Sequence, residues 1–147
     1  YKEYVPIGVI SVIFESRPDV LPQVVSLCLK TGNAVVLKGG KEAKHTNLFL
    51  YKLITNSIST TVNHIDLPEH IKPLVKSMTL MAPTRSHIDQ ILDLHDYVDL
   101  IIPRGSSSLV SHIKNNTKIP VLGHSEGICH LYIDSEYSID NAISPNP

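Results

Sequence analysis

The stretch VPIGVISVIF, from Val5 to Phe14, decides the fold class of this 147-residue chain. It is a continuous apolar run rich in Val and Ile, and such runs are typical of strands buried on both faces of a sheet. A helix is predicted to follow from Pro18 onward, because proline is tolerated in a first helical turn. Gly32 is expected to end that helix in a left-handed conformation, just before a second apolar run at 34–37.

The rest of the chain repeats this alternation of strand-like runs and helical patterns. Helices are predicted over 42–59, from an N-cap at Thr84, and over 106–116, on the spacing of their apolar residues. Further strands are predicted over 72–78, 97–102, 119–122 and 128–134. Because strands that alternate with helices build βαβ units, we predict an α/β fold with a mostly parallel sheet.

The composition disfavours several classes of protein. Thirteen Lys and Arg against fourteen Asp and Glu give a formal net charge of −1. This balance disfavours a nucleic-acid partner, because phosphate binding on that scale requires a concentrated basic face. No run approaches the ~20 apolar residues of a membrane span, and no leader peptide is recognised after Tyr1. Two cysteines without a CxxC pair indicate a reducing compartment.

Three predicted strands end in turns that suit an anionic ligand. These turns are 15–18, 38–42 and 103–106, and each places a cation beside Gly, Pro or a hydroxyl group, just before a helix. Ligands of open parallel sheets bind beyond the carboxyl ends of the strands, where helix N-termini favour phosphate groups. Neither a GxGxxG fingerprint nor a Walker A loop is present. Each turn taken alone is equally well explained as a solvated connection.

Histidine and cysteine residues give weaker signals. None of the eight histidines has the spacing of a zinc site, so no metal site is predicted. Cys28 lies in a predicted buried helix and is interpreted as a small core residue. Cys129 precedes His130 and could form a nucleophile pair with it, but neighbouring residues of a strand point to opposite faces.

Four motifs in order resemble one enzyme family: PIGVISVIFESRPD (6–19), LKTGNAVVLKGGKEA (29–43), YVDLIIPRGSSSLV (97–110) and IPVLGHSEGICHLYID (119–134). The chain thereby resembles glutamate-5-semialdehyde dehydrogenase, also called γ-glutamyl phosphate reductase, of the aldehyde dehydrogenase superfamily. The wording GHSEGICH is most similar to the reductase domain of the bifunctional delta-1-pyrroline-5-carboxylate synthases. The resemblance implies a Rossmann-like sheet with helices on both faces.

The resemblance also implies an activity and a set of site residues. The activity is NADPH-dependent reduction of γ-glutamyl phosphate to glutamate-5-semialdehyde in proline and ornithine biosynthesis. Lys38 matches the superfamily lysine at the adenosine ribose, and a cation at Lys41 suits the 2′-phosphate of NADPH. The implied cofactor-binding residues are Lys38, Gly39, Gly40, Lys41, Gly105 and Ser106, and the implied substrate-binding residues are Ser16 and Arg17.

The family's nucleophilic cysteine belongs to a segment resembling PAACNAxET, which these residues do not contain. We therefore expect residues 1–147 to be the N-terminal, cofactor-binding part of the reductase domain, with no catalytic residue in this chain. The alternative is a catalytically inactive NADPH-binding or interaction fragment. By resemblance, the full-length protein is expected to be a homo-oligomer, mitochondrial if it is the animal bifunctional enzyme and otherwise cytoplasmic.

Overall fold

The strands of the computed structural model form a four-stranded parallel sheet. The structure describes residues 1–82, 84, 86–123, 132 and 134. In chain order the described elements are β1 (Val9–Phe14), α1 (Val20–Lys30), β2 (Ala34–Lys38), α2 (Lys44–His64), α3 (Lys72–Ser77), β3 (Thr79–Met81), α4 (His87–Asp93), β4 (Leu100–Arg104) and α5 (Ser107–Asn115). The predicted α/β class with a parallel sheet is confirmed.

The strand order is β3-β2-β1-β4, which is the order of the first four strands in a Rossmann fold. The chain leaves β1 toward β2 and β3 and later returns to β4 on the other side of β1. The boundary between β1 and β4 is therefore a topological switch point. In open α/β sheets, ligands bind in the crevice that such a switch point leaves at the carboxyl ends of the strands.

β1 is buried on both faces, as its apolar run predicts. One face carries Ile10, Val12 and Phe14, which belong to a core cluster with residues of α1 and β2. The other face carries Ile13, which belongs to a second cluster with residues of α4, β4 and α5. The helices thus cover both faces of the sheet, as the resemblance implied.

The amino end of the sheet is held by side-chain hydrogen bonds. The Gly8 amide donates to Asn33 Oδ1 at 2.9 Å, and the Val9 amide donates to Asp99 Oδ2 at 2.8 Å. Asn33 follows Gly32, whose φ of 74° confirms the predicted left-handed end of α1. These bonds fasten the starts of β1, β2 and β4 to one another.

The strand predicted over 72–78 is wrong. The structure forms α3 there instead, and the edge strand β3 follows it at Thr79–Met81. Pro73 lies in the first turn of α3, where a missing amide hydrogen breaks no helical hydrogen bond. The apolar residues Leu74, Val75 and Met78 do not alternate, and Pro73 suits a first helical turn, so both features agree with the helix.

Other boundaries shift by a few residues. The first strand begins at Val9 rather than Val5, and the fourth covers Leu100–Arg104 rather than 97–102. The N-cap of α4 is Ser86, not Thr84, although the Thr84 hydroxyl contacts Ser86 Oγ at 2.9 Å.

The strand predicted over 119–122 is reduced to a single parallel bridge between Val121 and Ile101. The prediction for 128–134 falls mostly on residues outside those described. None of the described helices is both long and apolar enough to cross a membrane.

Candidate functional site

The turns that follow β1, β2 and β4 meet at the carboxyl edge of the sheet. They border a cavity of about 710 Å³, a volume within the range of small-molecule sites. The cavity is lined by residues of all three turns, including Glu15, Lys38, Gly40 and Ser106, and by residues of α2, α4 and α5. The predicted convergence of the three turns is therefore found in the structure.

Lys38 and Lys41 lie at this cavity in different settings. Lys38 is the last residue of β2, is only 6% exposed, and its Nζ donates to the Gly39 carbonyl oxygen. Lys41 lies three residues further along the loop and is exposed to solvent. Both line the cavity together with Gly39 and Gly40. Lys38 is thus held within the cavity wall, whereas Lys41 lies at the rim with its side chain exposed to solvent.

The loop glycines are required by close approach. A Cβ atom on Gly40 would lie 3.2 Å from the Ser16 amide nitrogen and would also crowd the Glu42 carboxylate. A Cβ atom on Gly39 would overlap the side-chain amide of Asn47. The two glycines therefore let the loop after β2 pack against the turn after β1 and against α2.

Ser106 is the N-cap of α5. Its backbone is extended, and its Oγ accepts the Leu109 amide at 3.4 Å. Its own amide donates to Glu15 Oε2 at 2.8 Å. Gly105 does not line the cavity, but a Cβ atom there would overlap the Glu15 carboxylate. Gly105 thus makes room for a carboxylate beside Ser106.

Ser16 and Arg17 lie at the same edge but do not line the cavity. Both residues are exposed. Ser16 adopts a φ of 44°, in the left-handed region that non-glycine residues rarely occupy. The Arg17 carbonyl oxygen accepts the Val20 amide at 3.1 Å and so closes the turn into α1. The predicted substrate residues and the predicted cofactor residues therefore occupy separate parts of the edge.

Asn47 is a cavity-lining residue that the sequence analysis missed. It is 1% exposed, and within the described part of the chain neither its Oδ1 nor its Nδ2 has a hydrogen-bond partner. The buried Ser11 and Thr79 hydroxyls also lack partners, but neither residue lines the cavity. An unsatisfied buried amide costs ~1–3 kcal/mol per group, so Asn47 is a candidate ligand-binding residue of this cavity.

Charges of both signs surround the cavity. Lys44 and His112 add basic groups, whereas Glu15, Glu42 and Asp89 add carboxylates. His112 Nε2 lies 3.8 Å from Asp89 Oδ1, and both side chains are largely exposed. Cations suit phosphates and carboxylates suit ribose hydroxyls, so the lining fits a nucleotide better than a simple anion.

The cysteine that the structure describes is remote from this cavity. Cys28 lies buried in α1, and its burial raises the pKa of the thiol above that of an exposed cysteine. A protonated thiol is a poor nucleophile, so the interpretation of Cys28 as a core residue is supported. Cys129 and His130 lie outside the described residues. Among the residues described, no three His, Cys, Asp or Glu side chains come together as a metal site would require.

The fold of the chain is similar to that of solved aldehyde dehydrogenases. The propionaldehyde dehydrogenase of Rhodopseudomonas palustris superposes with a TM-score of 0.59 at 17% identity, over 82% of this chain and 25% of that one. At that identity the likeness concerns the fold alone. The chain therefore has an aldehyde dehydrogenase-like fold.

Closer relatives define the family. The γ-glutamyl phosphate reductase of Saccharomyces cerevisiae superposes with a TM-score of 0.69 at 42% identity, over 84% of this chain and 29% of that one. The reductase of Natronomonas pharaonis is 48% identical over 142 residues, which are 97% of this chain and 30% of that protein. This chain is homologous to γ-glutamyl phosphate reductase over nearly its whole length, and the predicted family resemblance is confirmed.

The bifunctional enzymes match as well. Delta-1-pyrroline-5-carboxylate synthase B of Arabidopsis thaliana is 47% identical over 137 residues, which are 93% of this chain and 17% of that protein. The chain thus spans less than a third of the curated relatives described. The closeness to the bifunctional enzymes in particular stays a prediction, because the two kinds of relative match at similar identity. No protein-family model matches the chain.

Proposed function

We propose that this chain is the cofactor-binding part of an NADPH-dependent oxidoreductase in proline and ornithine biosynthesis. The reaction would reduce γ-glutamyl phosphate to glutamate-5-semialdehyde and release phosphate. The proposal rests on the homology to γ-glutamyl phosphate reductase. The observation that carries the cofactor assignment is the cavity at the carboxyl edge, which is lined by Lys38, Lys41, Ser106 and Asn47, whose side-chain amide has no partner within the described residues.

Lys38 and Lys41 would bind the adenosine half of the cofactor. The Lys38 Nζ is held against the Gly39 carbonyl in the cavity wall, a position that suits a ribose hydroxyl of the cofactor. The exposed Lys41 would pair with the 2′-phosphate, the one group that distinguishes NADPH from NADH. Gly39 and Gly40 would allow the ligand to approach the loop backbone closely.

Ser106 and Gly105 would bind the pyrophosphate. Ser106 caps α5, whose first amides carry the positive end of the helix dipole. The N-terminus of α5 lies beside the switch point between β1 and β4, where dinucleotides cross the sheet of Rossmann folds. When bound, NADPH supplies the hydride for the reduction, and the residues named here hold and orient it.

Ser16 and Arg17 would belong to the substrate side. Both are exposed at the carboxyl edge but lie outside the cavity that the cofactor would fill. A guanidinium there suits a carboxylate or phosphate of γ-glutamyl phosphate, because Arg binds such groups through two parallel hydrogen bonds. The separation lets two anionic ligands bind side by side without sharing a cation.

The nucleophilic cysteine of the reaction would lie outside residues 1–147. A second candidate function is therefore an NADPH-binding or interaction module without turnover, favoured by the small share of its relatives that the chain spans. NADPH binding by the full-length protein without any reductase activity would support this second candidate. The homo-oligomer and the compartment stay predictions.

Cofactor titrations of the full-length protein test the assignment. Lys41→Glu should weaken NADPH binding about 10- to 100-fold, because a hydrogen bond to a charged group contributes ~1.5–3 kcal/mol. NADH binding should change little or improve. Nucleotide fluorescence and isothermal calorimetry would measure both dissociation constants.

Lys52→Glu provides the matched control, because Lys52 is an exposed lysine of α2 that does not line the cavity. It should leave both affinities unchanged. Equal weakening of NADPH and NADH by Lys41→Glu would contradict the 2′-phosphate assignment. Absence of NADPH binding to the unaltered full-length protein would contradict the proposed function itself.

A further inference from the structure

Glu15 bridges the switch point between β1 and β4. It directly follows β1, and its backbone amide donates to the Arg104 carbonyl oxygen of β4 at 3.0 Å. Its side chain also contacts the segment that follows β4, because Oε2 accepts the Ser106 amide at 2.8 Å. The carboxylate therefore lies at the N-terminus of α5, within the cavity wall.

This position is one that a phosphate group of a ligand would also occupy. The first amides of a helix carry a partial positive charge and have no partner within the helix. A carboxylate that accepts such an amide makes a charge-assisted hydrogen bond, as a phosphate oxygen would. Gly105 permits the contact, since any Cβ atom there would overlap the Glu15 carboxylate.

An independent observation supports the cavity as a ligand site. Asn47 lines the same cavity on the α2 side, is 1% exposed, and has no hydrogen-bond partner for its amide within the described residues. At the α5 side, by contrast, the Ser106 amide is already satisfied by Glu15. The cavity is thus lined both by a side-chain amide without a described partner and by a backbone amide that a carboxylate of the chain already occupies.

We propose that Glu15 is an internal anion that competes with the phosphates of the ligand for the N-terminus of α5. The inference rests on the proposed function and deepens it by naming the residue that sets cofactor affinity. A pyrophosphate-bearing nucleotide would have to displace the Glu15 carboxylate from Ser106 and would also be repelled by its charge. Glu15 therefore weakens cofactor binding and hastens cofactor release. When no cofactor is bound, Glu15 keeps the Ser106 amide of α5 hydrogen-bonded.

The test compares Glu15→Gln with the unaltered full-length protein in titrations with NADPH and, separately, with inorganic pyrophosphate. Gln retains the shape and can still accept the Ser106 amide, but a neutral acceptor is displaced more easily and does not repel phosphate. Both ligands should bind about tenfold more tightly to Glu15→Gln, as expected for ~1.4 kcal/mol. Stopped-flow measurements should show slower NADPH release by a similar factor.

Glu42→Gln is the control for charge alone. Glu42 lines the same cavity, and no hydrogen bond joins it to Ser106 in the described structure. Its removal should tighten binding by no more than about twofold, since an exposed carboxylate is screened by salt. Equal tightening by Glu42→Gln and Glu15→Gln would overturn the proposal, because the contact with Ser106 would then be irrelevant.

The two ligands separate this inference from the proposed function. If NADPH binds the unaltered protein but Glu15→Gln leaves it unchanged or weaker, the inference fails and the function stands. If pyrophosphate binds more tightly to Glu15→Gln while NADPH binds neither protein, the competition stands and the function fails. If neither ligand binds either protein, both fail. If Glu15→Gln does not fold, Glu15→Ala replaces it in the test. Glu15→Ala removes the competing carboxylate entirely and is expected to tighten the binding of both ligands.

Discussion

Two buried asparagines mark the two ends of the sheet, and their surroundings differ sharply. Asn33, at the amino end, is 4% exposed, accepts the Gly8 amide at 2.9 Å and donates to Thr31 Oγ1 at 2.8 Å. Asn47, at the carboxyl end, is 1% exposed and has no partner for its amide in the described structure. The same side chain is thus satisfied at one end and unsatisfied at the other.

The comparison distinguishes buried polar side chains that stabilise the fold from those that line a cavity. Buried polar groups are normally hydrogen-bonded, and an exception in a native structure requires an explanation. At the amino end, Asn33 and Asp99 use their oxygens to fasten neighbouring strands. At the carboxyl end, Asn47 lines a cavity and keeps its donors and acceptor unused. The hydrogen bonds at the amino end therefore support stability, whereas the carboxyl end carries the proposed ligand site.

The largest effect is expected from Asn33→Ala. This change leaves the Gly8 amide without its acceptor in a partly buried position, so the free energy of unfolding should fall by ~1–3 kcal/mol. Thermal and urea unfolding of the full-length protein would measure the loss, and cofactor affinity should be unchanged. Asn116→Ala is a matched control, because Asn116 makes its hydrogen bond to the His112 carbonyl at an exposed position. An equally large loss of stability in Asn116→Ala would show that the effect is not specific to the amino end of the sheet.

Asn47→Leu should preserve stability and weaken NADPH binding, the reverse of the effects of Asn33→Ala. Leucine has a similar size and carries no polar atom, so replacing an unsatisfied buried amide should leave stability unchanged or raise it by about 1 kcal/mol. NADPH binding should weaken about tenfold, as expected for one lost hydrogen bond. The same unfolding curves and titrations would measure both effects. A stability loss equal to that of Asn33→Ala would show that Asn47 is also structural.

The smallest effect concerns Cys28, a buried residue of α1 that should become more accessible when the loss of the Asn33 side chain lowers stability. Burial raises its pKa, so iodoacetamide should label Cys28 slowly near neutral pH, as followed by peptide mass mapping. Asn33→Ala should speed this labelling, whereas Asn47→Leu should not. Equal rates in both variants would contradict the contrast between the two ends.

The pH dependence of stability follows from the same thiol. The folded-state pKa is raised, so the unfolded chain loses this proton first as pH rises. Cys28 should therefore leave stability unaffected at neutral pH and lower it once pH exceeds the pKa of the unfolded thiol. Cys28→Ala should remove that alkaline loss in urea unfolding.

Elements with one dominant signal could be predicted from sequence. β1 and β2 are short runs of β-branched residues between turn residues, and α1 ends at a glycine that adopts a left-handed φ. The segment 72–78 was too short for its three apolar residues to define a period, whereas Pro73 fits a first helical turn. The resemblance named residues on motif position alone, and so placed Ser16 and Arg17 without showing that they lie outside the cavity.

The site residues that were missed needed three-dimensional information. Asn47 had a weak signal, since it stands on the helical face that Leu50, Ile54 and Ile58 present to the core. A polar residue on an apolar face can be satisfied or unsatisfied, and only the structure distinguishes the two. Glu15 was noticed as part of a turn, but its bond to Ser106 spans a sequence separation of 91.

The position of Glu15 also sets the timescale on which the site can respond. β1 is paired along its length with β2 on one side and β4 on the other, and the Glu15 amide extends the second ladder. A backbone held on both sides cannot swing as a lid does. In the proposed competition, release of the Ser106 amide would require only rotation of one side chain, a faster motion than the microseconds to milliseconds of loop closure. The Glu15 carboxylate would therefore respond to a ligand without any movement of the sheet.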